Sequence, residues 1–202
     1  MWKAIAIMAV AVVLASCQNV DEQQLFSDYR EVLGTVDELF SNHARAGGVF
    51  YNQDYQTEDE VRALLEGKVT SDGIDEIISN LFREEEGRLV YNEPFQQYLQ
   101  EANYDTVAPV DTGSYYRTVC ETILNPGLQL MIVEQFEVEP NDEAILLIAE
   151  GGHVYFYDEA DPLQLEQYQR YGYPPHDTIT VALSFIRERD RYLLDNYRIS
   201  AG

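Results

Sequence analysis

The chain has 202 residues and carries 36 acidic against 13 basic side chains, a formal net charge of −23. A surface so negative repels nucleic acid and anionic lipid head groups, which excludes both as general partners. Hydrophobic content of 46% with 12% aromatic residues excludes a disordered chain and suits a domain with a real core.

The first segment, "AIAIMAVAVVLASCQNVDEQQ" (4–24), runs apolar from Ala4 to Leu14 and turns polar at Gln18. Eleven residues fall short of the roughly 20 that a spanning helix needs. They have the length of a signal-peptide apolar region, preceded by a minimal positive segment at Lys3. Leu14-Ala15-Ser16-Cys17 resembles the lipobox of bacterial lipoproteins, with an aliphatic residue three before the cysteine and a small one directly before it. The resemblance implies cleavage between Ser16 and Cys17 and a diacylglycerol thioether on Cys17. Expected boundaries are therefore a signal peptide over 1–16, a lipidated cysteine and short tether over 17–23, and a folded domain over 24–202. Two acyl chains at about 0.8 kcal/mol per buried CH₂ anchor firmly, whereas one binds only marginally. With Cys17 lipidated, Cys120 is the remaining cysteine, so no intramolecular disulfide is available. Cys120 sits in a β-prone stretch, where a buried, inert thiol is expected.

Helical spacing follows: Leu25, Tyr29, Val32, Leu33, Val36, Leu39 and Phe40 recur on one face, and Gly47-Gly48 reads as a stop. Thr57 and Glu60 form a capping box that opens a second helix with Val61, Leu64 and Leu65 inward. A third helix starts at Ser71 or Asp72 and gathers Ile74, Ile77, Ile78, Leu81 and Phe82 on one side. Acidic residues 84–86 lead through Gly87 into a strand, "RLVYN". The stretch from Tyr55 to Phe95 resembles a family of uncharacterised extracytoplasmic domains of Gram-positive bacteria, a likeness that implies no catalytic residue.

Beyond residue 112 the pattern turns to β. Asn125-Pro126-Gly127 is a turn, "LQLMIVEQFEV" a long strand, and Pro140-Asn141-Asp142 the next turn. "AILLIA" and "HVYFYD" read as hairpin partners across Gly151-Gly152, and "DPLQLEQYQRYGYPP" as a helical or irregular insert. "TITVALSFIRER" alternates cleanly, with Ile179, Val181, Leu183 and Phe185 inward; a turn near Asp190 leads into "RYLLDNYRIS". The expected class is α+β, with N-terminal amphipathic helices (24–105) packed on a curved antiparallel sheet (106–202). That arrangement is similar to the nuclear-transport-factor-like and cystatin-like architectures.

No phosphate-cradling glycine loop, nucleophile elbow, HExxH or CxxC pattern occurs. His43, His153 and His176 lie far apart in sequence, and the acidic turns (Glu139, Asp142, Glu143; Asp158, Glu159, Asp161) lack the spacing of a calcium loop. No catalytic residue, metal or cofactor is therefore expected. Late arginines, Arg187, Arg189, Arg191 and Arg198, are expected to pair with acidic neighbours across a hairpin. The aromatic loop "QYQRYGYPPH" carries Tyr168, Arg170, Tyr171 and Tyr173 between two strands, a candidate surface for a glycan or envelope protein. The functional expectation is a lipid-anchored, extracytoplasmic, non-catalytic binding domain of the cell envelope. The alternative is a ligand-binding or enzymatic cone-shaped pocket between sheet and helices; the fully apolar inward row argues for a filled core instead.

Overall fold

The computed structural model describes residues 20–102, 115–141 and 143–202, so Cys17, its lipobox and Asp142 lie outside the described residues. Asp21 caps α1 (Glu22–Asp37), its side chain accepting from the Gln24 N–H. The spacing that predicts this helix also predicts its buried face, with Leu25 and Val36 fully buried and Tyr29, Val32 and Leu33 nearly so. A single 3-10 turn, Glu38–Phe40, carries the chain onward.

Gly47-Gly48 is not a helix stop. It is the turn of a hairpin, β1 (His43–Ala46) and β2 (Val49–Asn52), and both glycines take positive φ (60° and 95°). The strands are four residues each, too short for their alternation to stand out from the sequence. The capping box is present at α2 (Glu58–Leu65), with Glu60 accepting from the Thr57 N–H at 2.9 Å. Helix α3 (Ser71–Leu81) begins where its pattern predicts, capped by Thr70. A second hairpin follows, β3 (Phe82–Glu85) and β4 (Arg88–Tyr91), then α4 (Glu93–Glu101), which starts with Pro94 in its first turn.

The second half contains α5 (Tyr115–Val119), α6 (Gly127–Leu130), a 3-10 turn (Val133–Gln135), β5 (Glu137–Pro140), β6 (Ile145–Tyr155), α7 (Pro162–Gln169), β7 (His176–Glu188) and β8 (Arg191–Ala201). Strands β5 to β8 pair in sequence order as an open antiparallel meander. The fold is α+β, with helices packed on a curved sheet.

Four further expectations fail for identifiable reasons. The long strand over 128–138 is mostly helical and turned, because local hydrogen bonds redirect it. The Asn125 side chain accepts from the Gly127 N–H (2.8 Å) and donates to the Cys120 carbonyl, and Tyr29 donates its hydroxyl to the Leu128 carbonyl (2.8 Å). Only Glu137–Pro140 pairs as a strand. Gly151-Gly152 is no hairpin either. Strand β6 runs straight through it against β7, with a bulge between Ala149 and Gly152 and Gly151 at φ 65°. A Cβ at Gly152 would meet Met131 Cε at 2.4 Å, so a larger residue there would push the end of the Met131 side chain aside. Cys120 follows a helical turn instead of lying in a strand, and it is half-buried. Burial, then the nearby Glu121 charge, pushes its thiol pKa up, which keeps it in the unreactive form. The division into a helical and a sheet half is likewise too clean, since two hairpins sit among the early helices and three short helices among the late strands.

The sheet's inward row is filled. Ile179, Val181 and Phe185 are fully buried and Leu183 nearly so, opposite Ile145, Leu147 and Ala149 of β6. Helix α1 is pinned to β8 by one polar knot. Asp28, 2% exposed, accepts from Arg191 (Nη2, 3.0 Å), from Gln24 Nε2 (3.0 Å) and from the Tyr192 N–H (2.8 Å). Arg191 also pairs with Glu31, so this arginine reaches the helix and not its hairpin partner strand. Residues 68–70 run alongside β8 in parallel, with Thr70 N–H to Leu194 O (2.9 Å) and Leu194 N–H to Lys68 O (3.0 Å).

Candidate functional site

The aromatic loop of residues 168–173 leaves the C-terminus of α7 and folds back on it. Tyr171 and Tyr173 both donate their N–H to the Tyr168 carbonyl (3.1 and 3.3 Å), with Gly172 at φ 71° allowing the reversal. The Tyr116 N–H then donates to the Tyr171 carbonyl (3.1 Å), tying the loop to α5. These bonds separate the four residues singled out by sequence. Tyr168 is half-buried and stacks flat on Tyr157 (5.6 Å, 4°). Tyr173 is half-buried in a ring cluster with Tyr116, Phe156 and Tyr168, each within 5.7 Å. Arg170 and Tyr171 are exposed, and the guanidinium lies 4.8 Å from the Tyr171 ring centre. Half of the loop is thus packing and half is surface.

Tyr171 and Tyr173 form one wall of a cleft of ≈ 380 Å³. Its other walls are Phe40 and His43, which follow α1, Tyr98 of α4, and Tyr115, which opens α5. The rings touch in sequence around the cleft: His43 to Phe40 (4.7 Å), Phe40 stacked on Tyr115 (6.0 Å, 17°), Tyr115 to Tyr173 (6.1 Å), Tyr173 edge-on to Tyr171 (6.5 Å). Tyr98 closes the back, 5.8 Å from Tyr115. Every described lining side chain is therefore aromatic, and among the described residues no lysine, arginine or carboxylate belongs to the walls.

The electrostatics are one-sided. His43 lies within hydrogen-bond distance of the Tyr91 hydroxyl (Nδ1, 3.1 Å), and burial lowers its pKa, so the imidazole is neutral at pH 7. Burial, then the neighbouring Tyr173 and Asp37 charges, raises the pKa of Tyr115; burial and then Asp37 push Tyr173 up to about 12. Both phenols stay protonated. Asp37, the last residue of α1, accepts a hydrogen bond from Gln129, and its charge acts on both Tyr115 and Tyr173. Its carboxylate reaches solvent, but the packing around it raises its pKa above the usual aspartate value.

Sequence reasoning finds Tyr171 and Tyr173 from local composition but misses Phe40, His43, Tyr98, Tyr115 and Asp37. Phe40 reads as the end of a core stripe and His43 as a helix end, and no spacing links them to a loop 130 residues later. Of the remaining histidines, His153 lies in β6 and His176 opens β7, where it stacks near Tyr155. Among the described residues no group of three histidine, cysteine or acidic side chains is placed to hold a metal ion. No described helix is long and apolar enough to cross a membrane.

The chain matches no protein-family model, and comparisons with curated proteins and with solved structures gave no match.

Proposed function

We propose that the chain is a membrane-anchored, extracytoplasmic lipoprotein whose domain is a non-catalytic binding module of the cell envelope, with the aromatic cleft as its recognition site. The observation that carries this reading is the cleft, six aromatic side chains from four separate segments converging on one opening. Tyrosine offers large flat faces with a hydrogen-bonding tip at low entropic cost, the chemistry of recognition surfaces. The filled inward face of the sheet speaks against a cone-shaped pocket between sheet and helices.

The position of the cleft suits a tethered protein. Asp21, at the N-terminal end of α1 and next to Val20, the first described residue, donates its N–H to the Tyr192 hydroxyl beside the β7–β8 turn. The cleft lies at the other end of α1. Sixteen residues at 1.5 Å each place the two ends roughly 24 Å apart. An anchor at Cys17 would leave the cleft on the side away from the lipid.

The test has two arms. Cys17→Ser should abolish labelling by a fatty-acid analogue and release the chain from membranes; continued labelling would sink the anchor. For the cleft, Tyr171→Ala, compared in the unanchored Cys17→Ser background, should weaken retention of the chain on purified envelope fractions by roughly 30-fold, the effect of one aromatic hot spot of about 2 kcal/mol. Tyr171 is 38% exposed, so its loss should leave the melting temperature nearly unchanged. Undiminished retention by the alanine variant would remove the cleft from the function.

A further inference from the structure

We propose that the cleft takes an organic cation, an alkylated ammonium group carried by the ligand; this rests on the cleft being the recognition site. Three independent features favour a positive charge there over a neutral or anionic group.

The first is the walls. A cation over the face of a tyrosine or phenylalanine is attracted by the negative face of the ring, and the attraction grows as water is excluded. Tyr98 is buried and Tyr115 half-buried, and burial raises the Tyr115 pKa, so the Tyr115 ring meets a cation without a competing phenolate. The second is helix α1. Its C-terminus, the negative end of the helix dipole, comes three residues before Phe40 of the cleft wall, and the charge of its last residue, Asp37, acts on Tyr115 and Tyr173. A cationic side chain in the last turn commonly offsets that end, but α1 has none and places Asp37 and Glu38 there instead. The negative pole is thus reinforced, and a bound cation would offset it. The third is the chain as a whole, whose net charge of −23 draws cations and repels anions at long range.

Arg170 already shows the interaction on the outer side. Its guanidinium sits 4.8 Å from the ring centre of Tyr171, a wall of the cleft, while Arg170 itself is exposed and does not line it. A compact ammonium entering the cleft would meet the inner rings and feel Arg170 as a like charge. The two effects make opposite predictions for neighbouring substitutions, and neither changes the aromatic walls. Removing the Asp37 charge should weaken cation binding, and removing the Arg170 charge should strengthen it.

The experiment is calorimetric titration of the full chain, in non-ionic detergent at matched ionic strength, with choline chloride and with its uncharged tert-butyl analogue, in which carbon replaces nitrogen. Choline should bind at one site at least about tenfold more tightly than the analogue, the margin expected for a partly desolvated cation on aromatic faces. Asp37→Asn should weaken choline about threefold or more and leave the analogue unchanged, Arg170→Gln should tighten choline, and Tyr171→Ala should weaken it. Equal or tighter binding of the analogue would overturn the cation and leave a purely apolar recognition site. So would absence of binding by either probe while Tyr171→Ala still abolishes envelope retention. Choline binding indifferent to Asp37, Arg170 and Tyr171 would place the cation elsewhere and overturn the inference. Loss of neither probe binding nor envelope retention in Tyr171→Ala would overturn both readings together.

Discussion

Asp28→Ala removes the carboxylate that holds α1 against β8, and its cost can be worked from the contacts. The side chain is 2% exposed and accepts from Gln24, Arg191 and the backbone N–H of Tyr192. Alanine orphans the Tyr192 N–H in a buried place, a penalty of about 1–3 kcal/mol. It also strips Arg191 of its buried partner. Breaking a buried ion pair from one side costs about 3–5 kcal/mol. Arg191 is 38% exposed and keeps Glu31, which puts the sum at the lower end, about 3 kcal/mol. Against a usual total of roughly 5–15 kcal/mol that is a large fraction. For a chain of this size it corresponds to a fall of about 6–12 °C in Tm. Urea unfolding and thermal melts of wild type, Asp28→Ala, Arg191→Ala and the double variant would measure it. Removing Arg191 should cost far less once Asp28 is gone. A loss under ~1 kcal/mol for Asp28→Ala, or equal costs for Arg191→Ala in both backgrounds, would show that the knot does not hold helix to sheet.

Two glycines should respond with opposite signs. Gly127→Ala would place a Cβ 2.4 Å from Ile179 Cδ1 in the filled core and should destabilise by about 1–3 kcal/mol. Gly34→Ala, in the exposed middle of α1 with nothing within 4 Å, should stabilise by up to about 1 kcal/mol. The third prediction concerns pH. Burial holds His43 below its ordinary pKa of 6.5, so below pH 6.5 the unfolded chain takes up the proton first. Its contribution to stability is therefore complete above that pH and is lost as pH falls towards the folded value. The difference in stability between wild type and His43→Gln, followed by urea unfolding from pH 8 to 5, should shrink on acidification; a flat difference would mean that the imidazole is not desolvated.

What the sequence reveals depends on the range of the forces involved. The Thr57–Glu60 capping box, the start of α3 and the alternation over β7 are readable because the partners lie within a few residues of one another. The glycine pairs mislead because the same residues serve a turn at Gly47-Gly48 and a bulge at Gly151-Gly152, and Met131, 21 positions away from Gly152, helps decide the second. Residues 128–138 have strand composition, yet Asn125 and the distant Tyr29 fix a helical turn there. The cleft follows the same logic. Tyr171 and Tyr173 advertise themselves by local density, whereas Phe40, His43, Tyr98 and Tyr115 acquire their role only when α1, α4 and α5 pack together.

The meander ends on two sides that offer little to a foreign strand. On one side, β5 is four residues long, bears Glu137 and Glu139, and ends in Pro140, which has no N–H to give. Where β6 outruns β5, Gln135 donates its side-chain amide to the His153 carbonyl (2.8 Å). On the other side, residues 68–70 already use the middle of β8, and Thr70 donates its hydroxyl to Asp195 (2.7 Å). Two neighbouring copies therefore find little template for strand exchange. The same closure means that an incoming polypeptide gains little from main-chain pairing with this sheet, so selectivity must come from side-chain chemistry, and the ring-lined opening at the far end of α1 is where that chemistry is concentrated.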